Sequence, residues 1–256
     1  LGVASRSVVI ATDIQSHADH EWAQANACTL STTEFLTTRA VLGKKADVTR
    51  IKLLEMLSLI AEDANTNALE AVFRQEPKLS YSLLRLVNSA ANAPRSPITS
   101  FTQAINLLGR RQLQRWLQLL VYADPNNGQH PNPLLQKAAA RGRLMEILSS
   151  HLAPQVGIEQ LSDAAFMVGT FSLLDVLLNM SIGEILQQLT LPDAVNQALS
   201  AHSGALGELL RMVSTAESRD YAATAKQLES QPFDGRTYVD AQLQALDWAS
   251  KINPVA

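Results

Sequence analysis

Residues 79–120 read LSYSLLRLVNSAANAPRSPITSFTQAINLLGRRQLQRWLQLL. Leu83, Leu84, Leu86 and Val87 recur at helical spacing, and Pro77 stands where a first helical turn tolerates it, so a helix is expected over 77–90. NAPRSPITS (92–100) is a turn region set by Pro94 and Pro97. Ser100 followed three residues later by Gln103 is a capping-box pattern that starts the next helix. Gly109 breaks that helix, and RRQLQRWLQLLVYA begins another. Helix, proline turn, capped helix, glycine break and helix form a local plan that the rest of the chain continues.

Upstream, Leu53, Leu54, Leu57, Ile60 and Ala61 make one apolar stripe, with Lys52, Glu55 and Glu62 off it, and a further helix is expected over 66–75. Downstream, DPNNGQHPNP (124–133) reads as a loop, and helices are expected at about 134–151, 159–179, 193–200, 204–217, 220–230 and 237–252, with a second capping box at SIGE (181–184). The first ~45 residues differ. SVVIAT (7–12) reads as a strand, SHADHEWAQAN (16–26) as a helix capped by Ser16, and CTLSTTEFL as a second strand. Fewer than about 40 residues rarely bury a core unaided. The expected architecture is therefore mostly α, an all-helical body over 46–256 behind a strand–helix–strand prefix over 1–45.

The chain has 256 residues, 46% hydrophobic and 5% aromatic, which is ample apolar surface for a Leu/Ala/Val/Ile core. A net charge of −3 argues against broad binding to nucleic acid or to a membrane surface. Cys28 is the single cysteine, so no intrachain disulfide forms, which fits a reducing cytoplasm. No unbroken apolar run approaches the roughly 20 residues of a bilayer span, and no secretory signal is seen. The initial Leu1 reads as the start of a piece processed or excised from a longer chain.

Sites of chemistry are few. His17 and His20 share a helix face with Asp19 and Glu21 alongside, but this is not HExxH, and a solvated face is the plainer reading. His130, His151 and His202 stand apart. There is no G-x-S-x-G, no glycine-rich phosphate loop, and no base near Cys28. Arg110, Arg111 and Arg115 with Trp116 form the most basic local patch. These arginines suit a phosphate or acidic partner, or carboxylates on a neighbouring helix, as do Arg141 and Arg143. Trp116 reads as core or groove wall.

The motifs of 79–120 resemble the HDOD family: LLRLVNSA (83–90), a turn, then Ile98, Ser100, Ala104, Ile105, Leu108 and Gly109 in order. The resemblance continues through AAFMVGTFSLLDVLL (164–178) and LGELLRMVSTAESRDY (206–221) and covers about 48–252. It implies a fold similar to HD-type metal phosphohydrolases, in which adjacent His and Asp bind metal. Ser172 and Leu173 fall at those two places. Without the pair, the metal that activates water is lost. Asp175 is no shifted replacement, lying about 200° round a helix from Leu173. The prefix resembles the C-terminal end of an EAL cyclic di-GMP phosphodiesterase barrel, with Thr12 and Gln15 at the positions of two catalytic glutamates and Ser31 and Thr32 where Gln and Gly would be.

Together these imply a non-catalytic, cofactor-free HDOD module of an EAL–HDOD signalling protein in the bacterial cytoplasm, with other signalling proteins as partners, no membrane association, and nucleic acid disfavoured. Two other classes are left open: a residual metal phosphohydrolase or nucleotide-binding domain of HD type, and a nucleic-acid module using Arg110, Arg111 and Arg115. Arg85, Asn88 and Ser89 end a helix beside the proline turn, and the Asn88 amide is expected to bond backbone groups there. Asp175 is expected at a helix margin near the Ser181 cap. A cleft between the 48–123 and 134–217 helices is the expected partner site.

Overall fold

The computed structural model describes residues 8–28, 30–32, 58, 77–89, 97–122, 133–156, 160–178 and 180–252. All of the expected helix over 51–64 except Ser58, the expected helix over 66–75, Pro94 of the turn, and nearly all of the 124–133 loop lie outside them.

The prefix is a small βαβ unit. Strands β1 (Ile10–Ala11) and β2 (Leu30–Ser31) pair in parallel, Ile10 with Leu30 and Ala11 with Ser31, and helix α1 (His17–Ala25) connects them. Ser16 caps α1, its Oγ accepting from Asp19 N at 3.2 Å. His20 Nδ1 meets Ser31 Oγ at 3.0 Å, tying helix to strand. Ile14 and Ala23 are the buried residues of this unit, with Ala11 and Cys28 packed on them. Val8, Val9, Ile10, Trp22 and Leu30 stay exposed. The expected strand–helix–strand order is present, and among the described residues its sheet consists of two short strands.

The body is helical. Its described helices are α2 (Pro77–Val87), α3 (Phe101–Leu120), α4 (Pro133–Val156), α5 (Leu161–Phe171), α6 (Leu174–Leu178), α7 (Ile182–Leu186), α8 (Asp193–Ala201), α9 (Gly204–Glu217), α10 (Tyr221–Leu228) and α11 (Gly235–Ser250). One continuous apolar cluster runs through them, from Leu83 to Ile252. The long α4 is its axis, packed along α5 and α11. α3 is two helical pieces: Gly109 has φ +74° and ψ 161°, a conformation open essentially to glycine, and this is the expected break. Ser100 Oγ accepts from Gln103 N at 3.1 Å as the capping box requires. The return bond is displaced by one residue, since Gln103 Oε1 accepts from Thr99 N rather than from the cap. The box at Ser181 and Glu184 is complete.

One expected element is corrected. The apolar stretch 159–179 is not a single helix: it turns at Ser172 and Leu173, between α5 and α6. Leu161–Leu178 is apolar enough by composition to cross a membrane, yet 61% of it is buried inside the protein, and it is folded as two helices. Apolar periodicity alone does not separate a buried broken helix from a continuous one.

Candidate functional site

α4 and α5 cross with Gly142 against Gly169. A Cβ on Gly169 would lie 2.7 Å from Gly142 Cα and 2.8 Å from Arg141 O. This approach brings Arg141 over the turn that ends α5. Arg141 Nη1 donates to Ser172 Oγ at 2.8 Å, and Ser172 Oγ donates to Gly169 O at 2.7 Å. The rest of the guanidinium is clamped by Glu217 at the end of α9, with Nε to Oε1 at 2.9 Å and Nη2 to Oε2 at 2.6 Å. This fork-to-fork geometry is the strong, orientation-specific form of an ion pair. Lys137, one turn earlier on α4, adds its Nζ at 3.2 Å from Glu217 Oε2. Arg141 is 6% exposed. Burial by itself would raise the Glu217 carboxyl, but the Arg141 guanidinium and the Lys137 ammonium outweigh it and hold the group below its ordinary range.

Ser172 and Leu173 do not fit a metal. The serine hydroxyl is engaged by a carbonyl and a guanidinium. The cation already seated there opposes a second one, and Leu173 is 2% exposed within the core. Among the described residues no three His, Cys, Asp or Glu side chains gather in a group able to hold a metal. Asp175 stands in the first turn of α6. Its Oδ1 accepts from Val176 N at 2.8 Å, and its charge acts on Tyr122. Tyr122 is fully buried and donates to Thr170 O at 2.5 Å. Burial pushes its hydroxyl well above the usual tyrosine range, opposed by Arg141 and reinforced by Asp175.

The basic patch resolves onto carboxylates. Arg115 reaches Glu146 at 2.5 Å and Asp163 at 2.6 Å, and lies over the Phe166 ring at 5.5 Å. Arg111 Nε sits 2.6 Å from Asp163 Oδ2, and Arg143 pairs with Glu146 at 2.6 Å. Of the two readings left open for Arg111 and Arg115, pairing with carboxylates of neighbouring helices is the one seen; the Arg110 side chain lies outside the described residues. Trp116 is core, 3% exposed, with Trp248 6.0 Å away. These bonds hold α3 against α4 and α5. The expected cleft between the 48–123 and 134–217 helices is therefore bridged where it is described. A groove lies instead between α4, the end of α9 and α11.

At the end of α2, Asn88 Nδ2 donates to Leu84 O and Ile98 O, each at 2.7 Å, and Asn88 Oδ1 accepts from Ile98 N at 2.7 Å. The amide thus substitutes for a strand partner and pins the return of the proline turn. Ser89 is buried, and its hydroxyl makes no hydrogen bond among the described residues; Arg85 lies exposed in the last turn of α2. Replacing Asn88 by alanine leaves the half-buried Ile98 amide and carbonyl without these partners, and should cost about 2 kcal/mol in a denaturant melt. A loss below about 0.5 kcal/mol, the level of an ordinary surface substitution, would remove the pinning role.

In the prefix, Thr12 is exposed, Gln15 Nε2 donates to Asp13 Oδ1 at 3.2 Å, and Gln15 N donates to Asp19 Oδ2 at 3.2 Å. Both side chains belong to a polar surface turn. His151 packs against Phe233 with ring centroids 5.7 Å apart and the rings tilted by 54°, and His202 is the left-handed C-cap of α8. Sequence reasoning missed Glu217 and Lys137 as partners of Arg141, Asp163 and Glu146 as partners of Arg115, and Tyr122. The one local signal was the glycine pair at 142 and 169.

Residues 49–148 match the family model described as the HDOD domain. YuxH of Bacillus subtilis (strain 168), described as an uncharacterized protein, is 30% identical over 223 residues, which is 85% of this chain and 52% of that protein. CdgJ of Vibrio cholerae, described as a cyclic di-GMP phosphodiesterase, is 32% identical over 184 residues, 72% of this chain and 41% of that protein. The chain thus spans about half, or less, of the length of these two relatives. A crystal structure of an HDOD domain protein of unknown function from Geobacter sulfurreducens aligns with a TM-score of 0.45 and 12% identity, over 86% of this chain and 96% of that one. With the helical body, its core and the matched stretch in place, the chain carries an HDOD domain over residues 49–148.

Proposed function

We propose that this chain is a non-catalytic signal-transduction module that acts by binding other signalling proteins in the cytoplasm, within a cyclic di-GMP-related EAL–HDOD protein. One observation carries the reading. Where the resemblance to HD-type hydrolases places the metal-binding His and Asp, a buried guanidinium caps Ser172 at 2.8 Å, and Leu173 is core. A positive charge fixed by Glu217 fills that place with a structural group. It can neither activate water nor yield its position without breaking a bidentate ion pair. The prefix supports the EAL side of the proposal through its parallel βαβ order. Its exposed Val8, Val9, Ile10 and Leu30 suit a sheet that continues, since parallel sheets are ordinarily covered on both faces.

The purified chain, supplied with Mn2+ and cyclic di-GMP, should give no hydrolysis above the protein-free control, and a pull-down with residues 46–256 should retain a saturable protein partner. Metal-dependent turnover that disappears in Asp175→Asn would sink the reading.

A further inference from the structure

We propose that the groove between α4, the end of α9 and α11 is a binding site for a small amphipathic anion, its acidic head held by Lys137 and Arg141 and its apolar body lying along Leu144, Ala245, Leu246 and Ala249. The cavity is about 400 Å³, within the usual ligand-pocket range of about 300–1,000 Å³. Its wall is mostly apolar, with Gln136, Gln242 and Ser250 as its neutral polar groups. It also carries Lys137 and Arg141 against Glu217, two positive charges to one negative, which leaves an excess of one.

The excess resides on Lys137. Arg141 uses three of its five N–H donors on Glu217 and Ser172, whereas the ammonium of Lys137 has three donors and reaches Glu217 with one long 3.2 Å contact. Its side chain is 17% exposed, so its charge is poorly hydrated yet open to the groove. A carboxylate, sulfonate or phosphate head meets a short-handed cation here. A neutral head leaves the cluster's excess positive charge uncompensated, and a cationic head adds to it. The site is independent of the partner reading above, and failure of the pull-down leaves it standing.

The test is isothermal titration calorimetry on the whole chain with octanoate, and with 1-octanol as the same tail without charge. Octanoate should bind one to one and roughly tenfold or more tighter than 1-octanol, as expected for one charge-assisted hydrogen bond. Lys137→Met should remove that preference. Leu246→Asp, a change at an exposed rim position that leaves the core untouched, should weaken octanoate by a similar factor through charge repulsion and keeps the test decisive if Lys137→Met folds poorly. Equal binding of the two probes, no heat from either, or wild-type octanoate affinity in both variants would overturn the proposal.

Discussion

Gly169→Ala should destabilise the chain by about 3 kcal/mol, close to the upper end of what overpacking costs, and lower Tm by roughly 6–12 °C for a chain of this size. The added methyl would stand 2.7 Å from Gly142 Cα, 2.8 Å from Gly142 N and 2.8 Å from Arg141 O. All three are backbone atoms inside α4, so no rotamer change relieves the clash, and one helix must move away from the other. The gain of about 1 kcal/mol that alanine brings to a helix interior offsets part of this. Gly142→Ala meets a different neighbour. Its methyl would lie 2.7 Å from Thr170 Cγ2 and 3.2 Å from Phe166 O, so one of its two closest contacts is a side chain that can adjust. That adjustment is limited, because Thr170 Oγ1 is bonded to Phe166 O and Met167 O, yet it makes Gly142→Ala the milder change. Paired urea melts decide the matter. A loss at Gly169 no greater than at Gly142 would mean that the crossing is looser than the contact distances imply.

The same crossing marks where the sequence stopped being legible. Pro77, the box at Ser181 and Glu184, and the break at Gly109 were readable because each acts within one turn of its own position. The turn at Ser172 and Leu173 was not. GTFSLLDVLL has the apolar content of one helix, and what fixes its bend comes from Arg141, 31 residues away. Glu217, 76 residues from Arg141, gives no local sign of being the carboxylate that orients it. The pairing of Arg111 and Arg115 was legible as one of two alternatives. The choice between them needed Asp163, 48 residues from Arg115 and brought to it only when α3 and α5 pack. Local chemistry thus predicted the elements and their ends, while the candidate site, built entirely of long-range pairs, emerged only with the packing.

Arg141→Met should cost about 3–5 kcal/mol, the largest loss expected for a single substitution here, because it removes one partner of a buried ion pair and leaves the other behind. Glu217 would keep the 3.2 Å contact from Lys137 alone, with its carboxylate largely desolvated. In the native chain the Glu217 carboxyl titrates below its ordinary range, so its stabilising contribution is complete at neutral pH and is lost only as the pH falls through that depressed value. In Arg141→Met, burial is no longer outweighed and the carboxyl rises. Protonation then relieves the variant first, and its deficit against the native chain should shrink as the pH drops from 7 toward the ordinary carboxylate range. A deficit that stays flat over that interval would assign the loss to packing of the arginine stem instead of to charge. The double variant Arg141→Met with Glu217→Leu should recover most of the stability, since an apolar pair of similar volume commonly replaces a buried ion pair without penalty. It should keep the preference of the groove for octanoate over 1-octanol, since Lys137 remains and the excess of one positive charge is unchanged. A chain that is stable again and still discriminates between the two probes would separate the two roles of this cluster, Arg141 and Glu217 holding α9 against α4 and Lys137 presenting positive charge to the groove.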